Sequence, residues 1–236
     1  KGNMKTLFET VVGSHAWKMN KPTSDFDLFQ TYQVPTKNIL SGGYLDETIL
    51  CDKESGNDIS RHELGTVIEQ LIKGNFNFVV GVCSPIVNED KYGYLKELRE
   101  ITKRNLAKNI YHSTKGLATH NYNKYFINNE SKFIKYYSEN GQKGGKLVPK
   151  KVFTKEILQK KTNQIVRSLM FGTFILRDKE IDFYRIADQE ITEIRYWMGI
   201  IDDAYNNSEL PETPDPTEFR EFLYKIRIND LNNRNI

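Results

Sequence analysis

Two aspartates, two positions apart, are the residues of this sequence with the clearest chemical potential. Asp25 and Asp27 lie where residues 26–32 (FDLFQTY) alternate apolar and polar residues in part, which predicts a half-buried strand. Residues i and i+2 of a strand project to the same face, so we expect the two carboxylates to lie side by side. Adjacent carboxylates raise each other's pKa unless a cation lies between them. Their oxygens suit Mg²⁺, or Mn²⁺ in its place, which binds one or two carboxylates together with water and substrate phosphates.

A Gly-Ser pair upstream adds a feature that could bind phosphate. Gly13 and Ser14 follow the β-branched run at residues 6–12 (TLFETVV), which predicts a strand that ends in a tight turn. Glycine lets a ligand approach closely, while backbone N–H groups and the serine hydroxyl can donate to phosphate oxygens. An Asp-x-Asp pair by itself occurs in many surface strands, and a Gly-Ser pair by itself is a still weaker sign of a binding site. The two pairs together, in the order strand, turn, loop, strand, indicate a metal and phosphate site much more specifically.

A third carboxylate from a neighbouring strand usually completes such a site, because paired metals about 4 Å apart clamp the attacking and leaving oxygens of nucleotidyl transfer. Asp58 begins a predicted short strand at residues 58–60 and is the first candidate. Glu63, about one helical turn farther along, is the alternative. We favour Asp58 because it lies nearer the strand.

Basic residues farther along the chain could bind phosphates or nucleic acid. Lys115 shares a helical stretch with Arg104, Lys108 and two tyrosines. This stretch is either a solvated face or a triphosphate clamp or RNA-facing patch, in which aromatic and basic residues interleave. Residues 143–151 are rich in lysine and glycine and predict a solvated loop, with nucleic-acid contact as the alternative. None of the four histidines has a partner at metal-ligand spacing, so we expect them to be surface or capping residues.

The segment GSHAWKMNKPTSDFDLF, residues 13–29, resembles the Gly-Ser … Asp-x-Asp pattern of the DNA polymerase beta nucleotidyltransferase superfamily. Within it, the sequence is most similar to the predicted nucleotidyltransferases associated with RNA repair (RlaP-like). The residues that match the pattern are Gly13, Ser14, Ser24, Asp25 and Asp27. The resemblance implies that Ser24 belongs to the nucleotide site with Gly13 and Ser14, and that Asp58 occupies the third carboxylate position.

Three later parts of the chain extend the resemblance. Residues 58–85 are similar to the family's Asp, helix and Ser-Pro segment, and residues 160–176 look like its C-terminal helix. Residues 193–199 add an Ile-Arg segment, and residues 210–215 add a Leu-Pro … Pro-Asp link. The resemblance implies that Arg167 faces the cleft toward the triphosphate, a task that suits a guanidinium. Lys18 and Gln164 depart from the family's glycine and histidine, which bears on the acceptor more than on the metal site.

The coarse pattern predicts an α/β (α+β) fold with a nucleotidyltransferase-type mixed sheet and flanking helices, followed by a mostly helical C-terminal domain. We place the catalytic core at residues 4–90 and the helical domain at residues 91–236. Leu64, Val67 and Ile68 recur at helical spacing after residue 61. Further helices are expected at residues 94–111, 116–137, 153–176, 191–205 and 218–228, with a flexible loop at residues 138–151.

The composition sets limits on the class of protein. In 236 residues, 38% are hydrophobic and 12% aromatic, so a packed core is feasible and global disorder is not expected. A net charge of +3 neither demands nor excludes nucleic acid. No run of about 18 apolar residues exists, so we expect no membrane span and a cytoplasmic protein. Cys51 and Cys83 fall in no metal-binding cluster and are expected to be reduced thiols.

These features together predict a Mg²⁺-dependent enzyme that transfers a nucleoside monophosphate from an NTP, with ATP among the candidates, to an acceptor hydroxyl. Asp25 and Asp27 would bridge two metals, Asp58 would bind the catalytic one, and Gly13 and Ser14 would hold the β- and γ-phosphates. The acceptor stays open between RNA, at a 3′ end in repair, and a small molecule or protein side chain. A catalytically silent nucleotide- or RNA-binding module is a further alternative, against which the intact set of carboxylates speaks.

Overall fold

A mixed sheet packed against helices forms the N-terminal part of the chain, and helices dominate the rest. The computed structural model describes residues 4–42, 49–51, 58–127, 132–137, 139–148 and 150–233. The strands are β1 Lys5–Val12, β2 Asp27–Gln33, β3 Ile49–Cys51, β4 Asp58–Glu63, β5 Ile86–Glu89, β6 Lys132–Tyr137 and β7 Lys143–Val148. The helices are α1 Thr36–Leu40, α2 Leu64–Ile72, α3 Phe76–Cys83, α4 Tyr94–Arg104, α5 Ile110–Tyr122, α6 Lys155–Asp178, α7 Ile191–Asn207 and α8 Thr217–Asn233. The predicted fold class is confirmed.

The five-stranded sheet has the order β3-β4-β2-β1-β5. β1 runs antiparallel to both β2 and β5, β3 runs antiparallel to β4, and β2 and β4 are parallel. The register pairs Leu28 with Ile59 across the parallel strands. Because both strands begin one residue earlier, the first residues of β2 and β4 lie next to each other at one edge of the sheet.

Helix α3 lies very close to the sheet, and a glycine makes this possible. A Cβ atom on Gly81 would lie 2.5 Å from the ring of Phe29 on β2, so only glycine lets the helix approach this far. The hydroxyl of Thr10 on β1 donates to the carbonyl of Gly81 over 2.6 Å. These two contacts therefore fix α3 against β1 and β2, and they hold the two strands in place next to the turn that follows β1.

The helical part shares one hydrophobic core with the sheet. Phe171 of α6 packs edge-on against Trp17, which follows β1, and against Phe76 of α3, each with ring centroids 5.5 Å apart. The last helix, α8, returns to the N-terminal part, where the carboxylate of Asp230 accepts a 2.8 Å hydrogen bond from the backbone N–H of Thr36. The division at residue 90 stays a prediction, and these contacts cross it.

The predicted helix at residues 116–137 is wrong in its second half. α5 ends at Tyr122 and one π-helical turn follows, Asn123–Ile127. Lys132–Tyr137 is then a strand paired antiparallel with Lys143–Val148, inside the stretch predicted to be a flexible loop. The aromatic and β-branched residues of KFIKYY suit a strand once a partner is available. Gly141, with φ +72°, lies in the connection between the two strands.

Other boundaries also differ from the prediction. The single helix expected at residues 94–111 is two helices, α4 and α5, because Lys108 in the connection donates its backbone N–H to Pro211 instead of continuing a helix. Cys83 is unpaired, and burial raises the pKa of its thiol to about 12. Among the helices that the structure describes, none is long and apolar enough to cross a membrane.

Candidate active site

Asp27 and Asp58 are the first residues of two adjacent parallel strands. The register of β2 and β4 places them side by side at the same edge of the sheet. Side chains at equivalent positions of paired strands project to the same face. The parallel pairing therefore brings together two carboxylates that are 31 positions apart in the chain.

The turn after β1 lies directly against the Asp27 side chain. Gly13 has φ +70°, and a Cβ built on it would lie 2.3 Å from Oδ2 of Asp27. Only glycine therefore permits both this backbone conformation and this approach. The turn, Gly13–His15, is 3-10 helical and is held by hydrogen bonds from Ala16 N–H to Gly13 O, 3.1 Å, and from Met19 N–H to Ser14 O, 2.9 Å. The Ser14 hydroxyl makes no hydrogen bond to any residue that the structure describes.

The pKa of the Asp27 carboxyl is raised above its ordinary value, first by burial and then by the negative charge of Asp58. Lys160 on α6 lowers this pKa, Asp25 raises it, and His15 lowers it. Two neighbouring carboxylates therefore act on Asp27, and α6 supplies a cation. The sequence did not single out Lys160, and it predicted His15 to be a surface or capping residue. The Lys-Lys pair at the start of the family-like helix was the available signal for Lys160.

Asp25 lies outside the strand that was predicted to carry it. β2 begins at Asp27, so Asp25 belongs to the loop before it and its side chain is exposed. The expected alternation on a strand therefore does not position the Asp25 carboxylate, although its charge reaches Asp27.

The donor set fits a divalent cation that shares its coordination with substrate. No three Asp, Glu, His or Cys side chains of the described residues are close enough to enclose a metal by themselves. Asp27 and Asp58, the first residues of neighbouring strands, still offer the hard oxygens that Mg²⁺ binds alongside water and phosphate. The negative charge of Asp58 raises the pKa of Asp27. The metal-binding role of Asp25, Asp27 and Asp58 stays a prediction.

Glu63, the alternative third carboxylate, lies at the opposite end of β4. It is 7% exposed and pairs with Arg227 of α8, with 2.6 Å between Nη1 and Oε1. Its Oε2 also accepts a 2.6 Å hydrogen bond from the N–H of Gly65 and so caps α2. With both oxygens engaged, Glu63 has a structural role, and this leaves Asp58 as the residue beside Asp27.

Arg167 is buried behind the loop that follows the Gly-Ser turn. Its side chain is mostly enclosed, with the guanidinium 5.1 Å from the Trp17 ring centroid and Nη1 3.5 Å from the Met19 sulfur. Burial lowers the pKa of Arg167 to about 10. No carboxylate among the described residues forms an ion pair with it. A buried guanidinium without an anionic partner is costly, and this is the arrangement expected where an anionic ligand supplies the partner.

The loop between the turn and β2 is fixed at two points. The Ser24 hydroxyl accepts a 2.8 Å hydrogen bond from the N–H of Lys21, and the Ser24 carbonyl lies 3.2 Å from Nε2 of His15. Lys21 forms an exposed ion pair with Glu156 of α6, 2.9 Å. Ser24 therefore shapes the loop that precedes the carboxylates.

Lys115 has a different environment from the other predicted nucleotide-binding residues. Its ammonium pairs with Asp202 of α7 over 2.5 Å, and the Tyr111 hydroxyl donates to the same carboxylate oxygen over 2.6 Å. The structure thus uses Lys115 to join α5 and α7. Lys160, and not Lys115, is the lysine whose charge acts on the pKa of Asp27.

Comparisons with known proteins identify the family of this chain. A search among curated proteins finds no match. Among solved structures, one match is the nucleotidyltransferase-like protein from Exiguobacterium sibiricum 255-15, at 12% identity over 98% of this chain and 70% of that one; its TM-score of 0.31 is too low to support a conclusion. The sequence profile of the RNA repair pathway DNA polymerase beta family, RlaP, matches residues 1–194. The match covers most of the chain and supports a nucleotidyltransferase type of function, so the chain belongs to the RNA repair pathway DNA polymerase beta family.

Proposed function

We propose that this protein transfers a nucleoside monophosphate from an NTP to an acceptor hydroxyl at the edge of the sheet where β2 and β4 begin. The observation that carries the proposal is the Asp27 carboxylate, pressed against Gly13 and raised in pKa by burial and by Asp58. Like charges are brought together at a cost in stability, as expected where a divalent cation and a triphosphate complete the site.

The carboxylates provide the metal ligands. Asp27 and Asp58 present oxygens from adjacent strands, and Asp25 adds a third carboxylate from the loop. Bound Mg²⁺ or Mn²⁺ would neutralise the charge on the phosphates and orient the attacking and leaving oxygens. The protein itself contributes position, because the sheet and the Gly13 turn fix Asp27 before any ligand arrives.

The triphosphate has donors on two sides. Ser14 offers its hydroxyl from the turn, and Gly13 lets phosphate oxygens approach the backbone there. Lys160 brings positive charge from α6, and Arg167 is the buried cation behind Trp17. Two protein segments, the turn and α6, would thus both contribute groups that bind the nucleotide.

The reaction exchanges one phosphoanhydride bond for one phosphate ester bond. The acceptor oxygen attacks the α-phosphorus, the bond from that phosphorus to the bridging oxygen breaks, and pyrophosphate leaves. The acceptor's proton would pass to the Asp58 carboxylate or to solvent. The protein groups act chiefly by positioning and charge neutralisation.

RNA is the acceptor that we favour, with a 3′ end as its reacting hydroxyl. The family match to an RNA repair pathway supports this choice. Transfer to a small molecule or to a protein side chain is the second candidate. A silent binding module is disfavoured, because uncompensated carboxylates would then be retained at a cost to stability without a use.

Labelled nucleotides provide the test. The purified protein is incubated with each α-³²P-labelled NTP and Mg²⁺ or Mn²⁺, with total RNA, total protein or small metabolites as separate acceptor pools. We expect label on one pool, dependence on the divalent cation, and loss in Asp58→Asn. Asp203→Asn removes an equally exposed charge on α7 and should leave transfer unchanged. Wild-type protein that labels no pool, or Asp58→Asn that labels as well as wild type, would refute the proposal.

A further inference from the structure

Positive charge is concentrated in one short part of the chain. Residues 124–161 contain ten lysines, three glutamates and no other charged residue, a net charge of +7. The whole chain carries +3, so the remaining residues together carry −4. The mild overall charge therefore conceals a strongly basic segment on an otherwise acidic protein, which is the distribution expected of a polyanion-binding surface.

The basic segment is built as a hairpin with exposed lysines. β6 and β7 pair Lys135 with Gly145 and Tyr137 with Lys143, and Ile134 with Lys146. Lys135, Lys143 and Lys146 are exposed, and none of them forms an ion pair with a residue that the structure describes. Leu147 is 64% exposed on the same hairpin. By contrast, the cations of the predicted patch on α4 and α5 are paired with acidic residues of α7, α8 and the loop between them.

The base of the hairpin is attached to the first turns of α6. Tyr125, before β6, packs on Phe153, after β7, with ring centroids 4.8 Å apart. The Lys161 ammonium lies 5.0 Å from the centroid of the Tyr125 ring, and that of Lys124 lies 5.3 Å from it. An aromatic ring flanked by two cations thus joins the hairpin to the helix.

The same turns of α6 reach the candidate active site. Lys160 and Lys161 are neighbours in the first turns of this helix. Glu156, one turn before Lys160, pairs with Lys21 of the loop that precedes the carboxylates, over 2.9 Å. The basic surface therefore runs from the hairpin along the start of α6 to the loop before the carboxylates.

From this continuity we propose that the β6–β7 hairpin and residues 155–161 of α6 form the binding surface for a single-stranded RNA acceptor. The inference rests on the proposed function, because it assigns the surface that brings the acceptor to that site. Lysines can contact successive phosphates, while aromatic rings between them can stack on bases. Six residues of strand span about 20 Å, enough for a few nucleotides. We choose RNA as the occupant because bases can stack on an aromatic ring flanked by lysines, as Tyr125 is, while the lysines contact phosphates.

Binding of RNA under changing salt tests the surface directly. A fluorescent single-stranded RNA is titrated with the wild type, with the triple variant Lys135→Ala, Lys143→Ala, Lys146→Ala, and with the control Lys37→Ala, Lys73→Ala, Lys96→Ala. The control removes the same charge from exposed lysines outside the segment. We expect the hairpin variant to bind at least about 10-fold more weakly and its slope of log K against log salt to fall by about 2. Equal affinity and slope in the two triple variants would overturn the inference.

Catalytic variants separate this inference from the proposed function. Asp27→Asn should bind RNA like the wild type, and the hairpin variant should bind Mg·ATP like the wild type but show a raised KM for RNA. If RNA binding depends on the hairpin but the protein transfers no nucleotide to any acceptor, the binding surface is supported and the proposed function is refuted. If the protein transfers nucleotide to RNA but RNA binding does not depend on the hairpin, the function is supported and the binding surface is refuted. Binding of phosphatidylglycerol vesicles, or of an acidic polypeptide, more tightly than RNA of equal charge would also overturn the RNA assignment.

Discussion

The two ends of strand β4 each carry a carboxylate, and the protein treats them in opposite ways. At its last residue, Glu63 is buried, paired with Arg227 and bonded to the N–H of Gly65. At its first residue, Asp58 is exposed, has no ion pair among the described residues, and raises the pKa of Asp27. Strand β4 thus ends in a carboxylate that Arg227 neutralises. It begins with a carboxylate that has no ion pair among the described residues and lies beside Asp27.

The contrast shows how function can be recognised without a bound ligand. Breaking a buried ion pair such as Glu63–Arg227 is costly, because the remaining charge is left buried without a partner. Carboxylates that repel one another cost free energy, so they persist where a ligand offsets that cost. Removing charge should therefore have opposite effects at Asp27, which lies beside the first residue of β4, and at Glu63, the last residue of β4.

The largest effect is expected from Asp27→Asn. Transfer should fall by about 10³-fold or more, because an amide cannot replace a carboxylate between metal and substrate. The metal-free protein should nevertheless become more stable at neutral pH. Folding raises the pKa of Asp27, so the Asp27 carboxyl contributes its full stability to the wild type below the ordinary carboxyl pKa. That stability is lost as the pH rises through the folded-state pKa.

Thermal unfolding in EDTA across about pH 4 to 8 checks this sign. The gain in Tm of Asp27→Asn over the wild type should shrink toward the acid end of the range, and Mg²⁺ with a triphosphate should reverse it. Asp203→Asn serves as the control and should show neither effect. A variant that is less stable than the wild type at every pH would mean that the Asp27 charge is compensated after all.

At the last residue of β4, Glu63→Gln should destabilise the fold by about 3–5 kcal/mol, because it leaves the buried Arg227 charge without its partner. Urea denaturation measures the loss. The double variant Glu63→Gln, Arg227→Met should recover part of it, since no buried charge then remains. Transfer per folded molecule should be unchanged in both variants, and a specific loss of transfer would return Glu63 to the list of metal ligands.

Gly13→Ala should separate strain of the backbone from loss of the site, with Gly93→Ala as its matched control. The two glycines have φ +70° and +73°, so each alanine should cost about 1–2 kcal/mol of stability. Only the Cβ at residue 13 meets Asp27; at Gly93 nothing lies within 4 Å. Displacing the carboxylate should lower transfer by about 10²-fold in Gly13→Ala alone. Equal activity of the two alanine variants would show that Asp27 need not lie against the turn.

The sequence predicted several local elements of this arrangement. β2, α2 and α6 follow from the pattern of apolar residues, and the β-branched run at residues 6–12 favours β1. The placing of Asp25 on the second strand was wrong, because β2 begins at Asp27. The role of Glu63 could not be predicted, because its partner Arg227 lies 164 positions away. Lys160 reaches Asp27 only through the packing of α6 near the turn, which no local pattern reveals.

The missed hairpin has another physical cause. KGGKLV has weak strand propensity, and its two glycines favour a loop when the segment is considered by itself. Pairing with KFIKYY supplies the hydrogen bonds that stabilise it. A strand that depends on its neighbour in this way is visible only when both segments are considered together.

Lys18 gives the smallest expected effect, at the position where the resemblance places a glycine. Its φ is +56°, in the left-handed region, whereas Lys73 at the end of α2 has φ −74°. Lys18→Gly should therefore stabilise the protein by up to about 1 kcal/mol, and Lys73→Gly should destabilise it by about 0.5–1 kcal/mol. Denaturant midpoints of the two variants measure the difference. Opposite signs would show that the lysine strains the loop between the Gly-Ser turn and Asp25, whereas a loss in both would mean that Lys18 makes contacts worth more than the backbone strain.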